Sequence, residues 1–143
     1  MSSNKLYHEI FREFESAGTR KDKVAVLQKY GDKRLQDFLL FSMHPSVKFD
    51  ITKLPDYKPS VIPEGLNYTN LAFEMDRLYI FIPEHPRYRV KLPERKEQEI
   101  LHTMLESMHA EEAKLLMGCF KKNLPVKGLT PKIVKEAFPN LPL

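Results

Sequence analysis

Leu6, Ile10 and Phe14 recur every fourth residue, with Tyr7 and Phe11 beside them. That spacing makes the apolar stripe of an amphipathic helix over residues 5–16, and Ala17-Gly18 supplies its stop. Thr19, with Asp22 three residues on, has the form of a helix-starting cap. It opens a second helix through Val24, Leu27 and Tyr30, closed by Gly31. Asp32 caps a third, with Leu35, Phe38 and Leu39 facing inward, which ends before His44-Pro45. The hydrophobic pattern thus predicts three short helices joined by tight turns.

The pattern then changes. Val47, Phe49 and Ile51 alternate with Lys48, Asp50 and Thr52, the period of an extended segment. Pro55, Pro59 and Pro63 follow at intervals of four. Proline fixes φ and has no N–H to donate, so the stretch reads as an extended strap across the surface. It serves either as a plain connector or as a proline-rich ligand for a recognition domain.

Helical spacing returns with Leu71, Met75, Leu78 and Tyr79 in a fourth helix started by Asn67 or Thr69 and stopped by Pro83. Residues 85–92 interleave Arg87, Arg89 and Lys91 with Tyr88, Val90 and Leu92. The cations would lie along phosphates with Tyr88 stacked on a base, or they would protect a strand edge. A fifth helix covers residues 94–108 through Ile100, Leu101, Met104, Leu105 and Met108. A sixth starts at His109-Ala110 and carries Ala113, Leu116, Met117 and Phe120 to Lys121-Lys122. Thr130-Pro131 announces the last, a capping hydroxyl before a proline at the first helical position, with Ile133, Val134 and Ala137 inward.

The expected fold is therefore mostly α, a compact bundle of about seven short helices with one extended Pro-rich strap. It forms one helical domain over residues 1–143: a helical stack at 1–44, the connector at 45–66 and further helices at 67–143. A chain of 143 residues and 16.8 kDa suits that size. No run of apolar residues is long enough to span a membrane, and residues 1–20 are too charged and amphipathic for a signal peptide. With Cys119 alone, no intrachain disulfide forms, and a reducing compartment is expected.

Charge alters this picture at one end. The net formal charge is +4, and residues 121–143 hold five lysines against one glutamate, so the earlier residues carry equal numbers of bases and acids. A local excess of this kind attracts polyanions, though it also serves plain solubility.

Candidate chemistry is sparse. The glycine-rich phosphate loops, the G-x-S-x-G elbow and the H-E-x-x-H zinc motif are all missing from the sequence. Among the histidines His8, His44, His85, His102 and His109, the last two lie seven apart, and Cys119 has no second thiol at ligand spacing, so neither a metal nor another cofactor is expected. Cys119, between Leu116 and Phe120, reads as a buried small hydrophobe rather than a nucleophile. Glu111-Glu112 suits a helix start better than an acid–base pair. The expectation is a protein that is not an enzyme.

Lys127-Gly128-Leu129-Thr130-Pro131-Lys132 does have a mechanism. Gly128 permits a positive φ, helix-start amides point outward, and Lys121, Lys122, Lys127, Lys132 and Lys135 surround them. Loop amides and lysines together would clamp phosphates, with little sequence preference and strong salt dependence. The alternative is an ordinary joint between helices with solvated lysines.

Two stretches, AKLLMGCFKKNL from Ala113 and VKGLTPKIVKEAFPN from Val126, resemble the end of the helical DNA-binding domain of ATP-dependent DNA ligases. Lys121, Lys122 and Leu124 match the first helix end, Gly128 the turn, and Ile133, Val134, Lys135 and Pro139 the second helix. Residues 23–30 are similar to that domain's start in phage-type ligases. The resemblance implies an all-helical fold and a minor-groove or backbone contact by the Gly128 turn. The adenylation motif, lysine followed two residues later by Asp-Gly, is absent, so ligation is not implied. The whole chain also resembles a family of small uncharacterised proteins of large tailed phages, marine ones included. The resemblance rests on Lys5-Leu6-Tyr7-His8-Glu9-Ile10, the strap before Asn67, and the ending from Lys127-Gly128-Leu129-Thr130 to Ala137-Phe138-Pro139. It implies the cytoplasm of an infected bacterial host, or the virion.

The expected function is non-catalytic nucleic-acid binding, with DNA as the partner that the resemblance implies, through Lys121, Lys122, Lys127, Gly128, Thr130, Lys132 and Lys135. Arg87, Tyr88 and Arg89 form a secondary contact. The alternative is a protein–protein interaction module, a virion component or an adaptor, in which the strap and the exposed Tyr and Phe side chains matter more than the lysines. No membrane partner is expected.

Overall fold

A computed structural model describes residues 5–143. Seven α-helices run in the order α1 (Tyr7–Ser16), α2 (Arg20–Tyr30), α3 (Lys33–Met43), α4 (Leu71–Glu74), α5 (Glu94–Ser107), α6 (Ala110–Phe120) and α7 (Pro131–Ala137). The chain is all-helical, with no strand among the described residues.

Three helix starts follow from local hydroxyl or carboxylate acceptors. Thr19 Oγ1 accepts from the Asp22 amide at 3.1 Å, Asp32 Oδ1 from Leu35 at 2.9 Å, and Thr130 Oγ1 from Ile133 at 3.3 Å. Each satisfies a donor that the helix itself leaves unpaired. α6 is the hub, packing against α1, α3, α4 and α5, while α2 lies between α1 and α7. The position of α6 explains its burial on most sides, from Ala113 through Leu115, Leu116 and Cys119 to Phe120. Phe14, Leu27, Phe38, Leu39, Leu71, Phe81 and Leu105 join them in one apolar cluster.

The close of α6 depends on a glycine. A Cβ at Gly118 would stand 2.7 Å from Pro125 Cδ and 2.9 Å from the Asn123 carbonyl, so the returning chain requires its absence. Lys122 adopts φ 60°, and the Asn123 amide reaches back to the Gly118 carbonyl at 2.8 Å, a left-handed helix stop.

Carboxylates on α5 and α6 fasten the rest. Glu112 is buried, and its two oxygens accept from Tyr7 N at 2.9 Å and Leu71 N at 3.0 Å, capping α1 and α4 together. Burial raises its pKa, and the two amides oppose that shift. The strap runs along α5: Thr52 N donates to Glu97, Gln98 Nε2 to the Lys53 carbonyl, and Lys58 N to Glu106. Ser60 and Asn67 then close a compact loop, with Asn67 Nδ2 donating to the carbonyls of Ile62 and Pro63.

Residues 47–52 lie outside any helix, with Phe49 and Ile51 packed on the core and Lys48 and Thr52 exposed. Two expectations change. The fourth helix starts at neither Asn67 nor Thr69. Asn67 is engaged in its loop and Thr69 Oγ1 donates to Glu74, so Asn70 provides the cap and the helix tightens into a 3-10 segment over Met75–Phe81. Residues 85–92 form turns rather than a strand, with Tyr88 N bonded to the His85 carbonyl.

Candidate nucleic-acid interface

The Gly128 turn joins the end of α6 to α7. Gly128 has φ +80°, a value that glycine alone adopts freely, and its would-be Cβ faces the alkyl chain of Lys23 at 3.7 Å. Lys23 itself is committed: its ammonium donates to the Phe14 carbonyl at 2.9 Å and closes α1. Around the turn, the Lys127 amide donates to Glu15 Oε2 at 2.8 Å and the Leu129 amide to the Val126 carbonyl at 3.4 Å. The amides of Gly128 and Thr130 have no acceptor among the described residues. Thr130 presents its hydroxyl to α7 as cap, and Pro131 has no amide to offer. With seven residues, α7 adds little dipole, so the turn amides and the lysines are what an anion would meet.

The lysines divide. Lys121, Lys127 and Lys132 are exposed and make no ion pair among the described residues. Lys135 is exposed and its ammonium donates to the Leu143 carbonyl at 3.3 Å. Lys122 does not belong to this surface. Its ammonium points inward and donates to the carbonyls of Phe41, His44 and Val47 at 2.5, 2.7 and 2.8 Å. The expectation of a phosphate contact there is corrected: the end of α3 leaves carbonyls unpaired, and this lysine satisfies them. Glu15 and Glu136 also dilute the positive field, the second by pairing with Arg20 at 3.1 Å.

The secondary segment is drawn elsewhere. Arg87 stacks over the Tyr79 ring at 4.5 Å, the Tyr88 hydroxyl reaches Asp50 at 3.3 Å, and Lys91 pairs with the same carboxylate at 2.7 Å. Arg89 is exposed. Among the described residues, no hydrogen bond or ion pair links this segment to the Gly128 turn.

Other groups converge that spacing does not reveal. His8, Glu64 and His109 bring their donor atoms within 4.8 Å of one another, from α1, the strap and the start of α6. His8 Nε2 shares a hydrogen bond with Glu64 at 2.8 Å, and the two imidazoles stack 4.3 Å apart at 8°. Parallel rings aim their in-plane lone pairs side by side, not at a common point. His109 Nδ1 also accepts from the Glu111 amide at 3.1 Å, which occupies the lone pair of the neutral ring and leaves Nε2 protonated. Burial lowers the His109 pKa, and the neighbouring His8 adds to that. The trio is better suited to fastening the strap onto α1 than to holding an ion. Cys119 is fully buried, and its thiol is pushed up to about 12 by burial, far from a thiolate nucleophile at neutral pH.

A cleft of about 830 Å³ opens between α1, the corner joining α2 to α3, and α4. Tyr7, Lys29, Tyr30, Arg34 and Phe73 line it. Nothing in the sequence marks it, since its walls come from segments far apart along the chain.

No helix is long and apolar enough to cross a membrane among the described residues. No curated protein and no solved structure matches the chain. A sequence model for one protein family covers residues 10–125, most of the chain, which therefore belongs to that family of unknown function, DUF6433.

Proposed function

We propose that this protein binds the phosphate backbone of nucleic acid through the Gly128 turn. The observation that carries the reading is the pair of unengaged amides at Gly128 and Thr130, set between the exposed side chains of Lys127 and Lys132. A positive-φ glycine lets a phosphate approach the backbone, and the lysines neutralise it. Lys121 and Lys135 extend the basic surface, and the concentration of the net charge in residues 121–143 supports the assignment. The resemblance to the DNA-binding domain of ATP-dependent ligases points to duplex DNA, and the resemblance to small proteins of tailed phages points to an origin in phage. The role is one of binding, without catalysis.

Fluorescence anisotropy of labelled duplex and single-stranded oligonucleotides across a salt series tests this. The expected result is affinity that falls log-linearly with salt, with a slope of about three phosphates on duplex DNA. The double variant K127E/K132E should lose that binding while keeping its helical circular dichroism. A salt-independent affinity, or a folded double variant that binds like the parent, overturns the proposal.

A further inference from the structure

We propose that the cleft between α1, the α2–α3 corner and α4 is a docking site for an acidic peptide segment of a partner protein, one that carries apolar side chains between its carboxylates. This site lies apart from the Gly128 turn and stands independently of the nucleic-acid reading.

The chain segment that supplies Gly65 and Phe73 to the cleft is apolar where solvent should favour polarity. Val61 is 96% exposed, Leu66 71%, Tyr68 92% and Phe73 60%. Scattered exposed apolar residues are ordinary, but these crowd into one short stretch whose Gly65 and Phe73 line the cleft. The bonds that close the loop at Ser60 and Asn67 hold this segment in place without burying Val61 or Leu66. A surface that stays apolar although its backbone is fixed is suited to a partner's side chains.

Charge identifies the partner's sign. Lys5, Lys29 and Arg34 line the cleft, against the acids Asp32 and Glu112. Glu112 is buried with both oxygens on amides, and Asp32 has an oxygen on the Leu35 amide. Asp32 is exposed and Lys5 lies 3.9 Å from Glu13, but three exposed cations against one exposed acid leave the lining net cationic. Arg34 pairs with Asp76 at 2.7 Å, but both are about half exposed, so an incoming carboxylate can replace that pair at small cost.

One buried group points to a ligand. The Tyr7 side chain is packed against Phe38, only 3% of the residue is exposed, and its hydroxyl has no hydrogen-bond partner. Buried phenols normally find one. The residues that most influence this hydroxyl electrostatically include Asp32, Glu112 and Arg34, all of which line the same cleft. A carbonyl or carboxylate entering there accepts its proton. The polar groups are strung along the walls instead of converging on one point, which fits an extended segment better than a compact small molecule.

Selection of random dodecapeptides against the full chain tests the site. Enrichment of sequences mixing Asp or Glu with Leu, Phe or Tyr is the expected result. The best peptide should bind K29E/R34E at least about tenfold more weakly. F73S should lose about tenfold as an exposed aromatic anchor. Tyr7→Phe keeps the ring packed and should lose a few-fold in affinity, with an unchanged melting temperature. Basic or uncharged sequences, no enrichment, or a peptide indifferent to K29E/R34E each overturn the proposal. So does displacement of the peptide by an oligonucleotide, which would make the cleft a general polyanion surface. A dimer in sedimentation that F73S dissociates would give the apolar rim to a second copy and overturn it too. The variants K127E/K132E should leave peptide binding unchanged, so failure of one site is separable from failure of the other.

Discussion

The Lys122 ammonium donates to the Val47 carbonyl at 2.8 Å, across a sequence separation that no local pattern announces. With its bonds to Phe41 and His44, it ties the end of α6 to the end of α3 and the chain beyond. Burial lowers the Lys122 pKa, while three carbonyls hold the proton in place. Lys122→Met should therefore leave carbonyls unpaired and destabilise the fold by about 1–3 kcal/mol, read by calorimetry or denaturant titration. Its nucleic-acid affinity and salt slope should stay at the parent values. A change in slope by one phosphate would return Lys122 to the interface.

Glu15 stands where a phosphate would be unwelcome. Its carboxylate accepts the Lys127 amide at 2.8 Å, beside the two unengaged amides of the turn. Glu15→Gln keeps an acceptor for that amide and removes the negative charge. Affinity for duplex DNA should rise by roughly two- to fivefold at low salt, and the gain should shrink as salt screens it. Weaker binding by this variant would mean that the turn is not where the anion sits.

Glu112 caps two helices from a third. Glu112→Ala removes the acceptors of the Tyr7 and Leu71 amides, and a loss of about 2–4 kcal/mol is expected from two buried donors left unpaired. Glu112→Gln should lose less, because one oxygen remains. Hydrogen exchange should show the extra opening at the starts of α1 and α4 first. Uniform loss across α7 instead would contradict the assigned role.

Glu106 makes the strap sensitive to acid. Its bond from the Lys58 amide, and after that the neighbouring His102, hold its carboxyl below the ordinary 4.5. A carboxyl depressed in the folded state gives stability that is complete above its unfolded value and is lost as pH falls through the folded one. The Lys58 amide proton should therefore shift with a midpoint below 4.5 in an NMR titration, and Glu106→Gln should abolish that transition. A midpoint at or above 4.5 would contradict the contact.

Features written within three or four residues were legible in the sequence. The caps at Thr19, Asp32 and Thr130 and the positive φ at Gly128 are cases where side-chain type and backbone need sit side by side. Features that depend on distant partners were not. Residues 85–92 alternate like a strand, but among the described residues no second strand exists to pair with them, and Asp50 gathers Tyr88 and Lys91 into a turn instead. Lys122 reads as surface charge because nothing near it reveals that α3 ends with open carbonyls. Glu112 looks like the first-turn acid of its own helix, while its carboxylate serves two other helices. Six of the clamp's seven residues, all but Lys122, are exposed. The cleft that Tyr7 faces has no sequence signature at all.

The strap's fastenings place an unusual constraint on what may be substituted there. At Thr52 and Lys58 the gripping group is the backbone N–H, so the helix beneath does not read which side chain stands above it. Pro55, Pro59 and Pro63 all fall outside those two positions. Proline is the one residue that would break either hold, since it has no hydrogen to give. The side chains at 52 and 58 are thus free to drift among all residues but proline: what the segment must keep at those two places is a donor, not a motif.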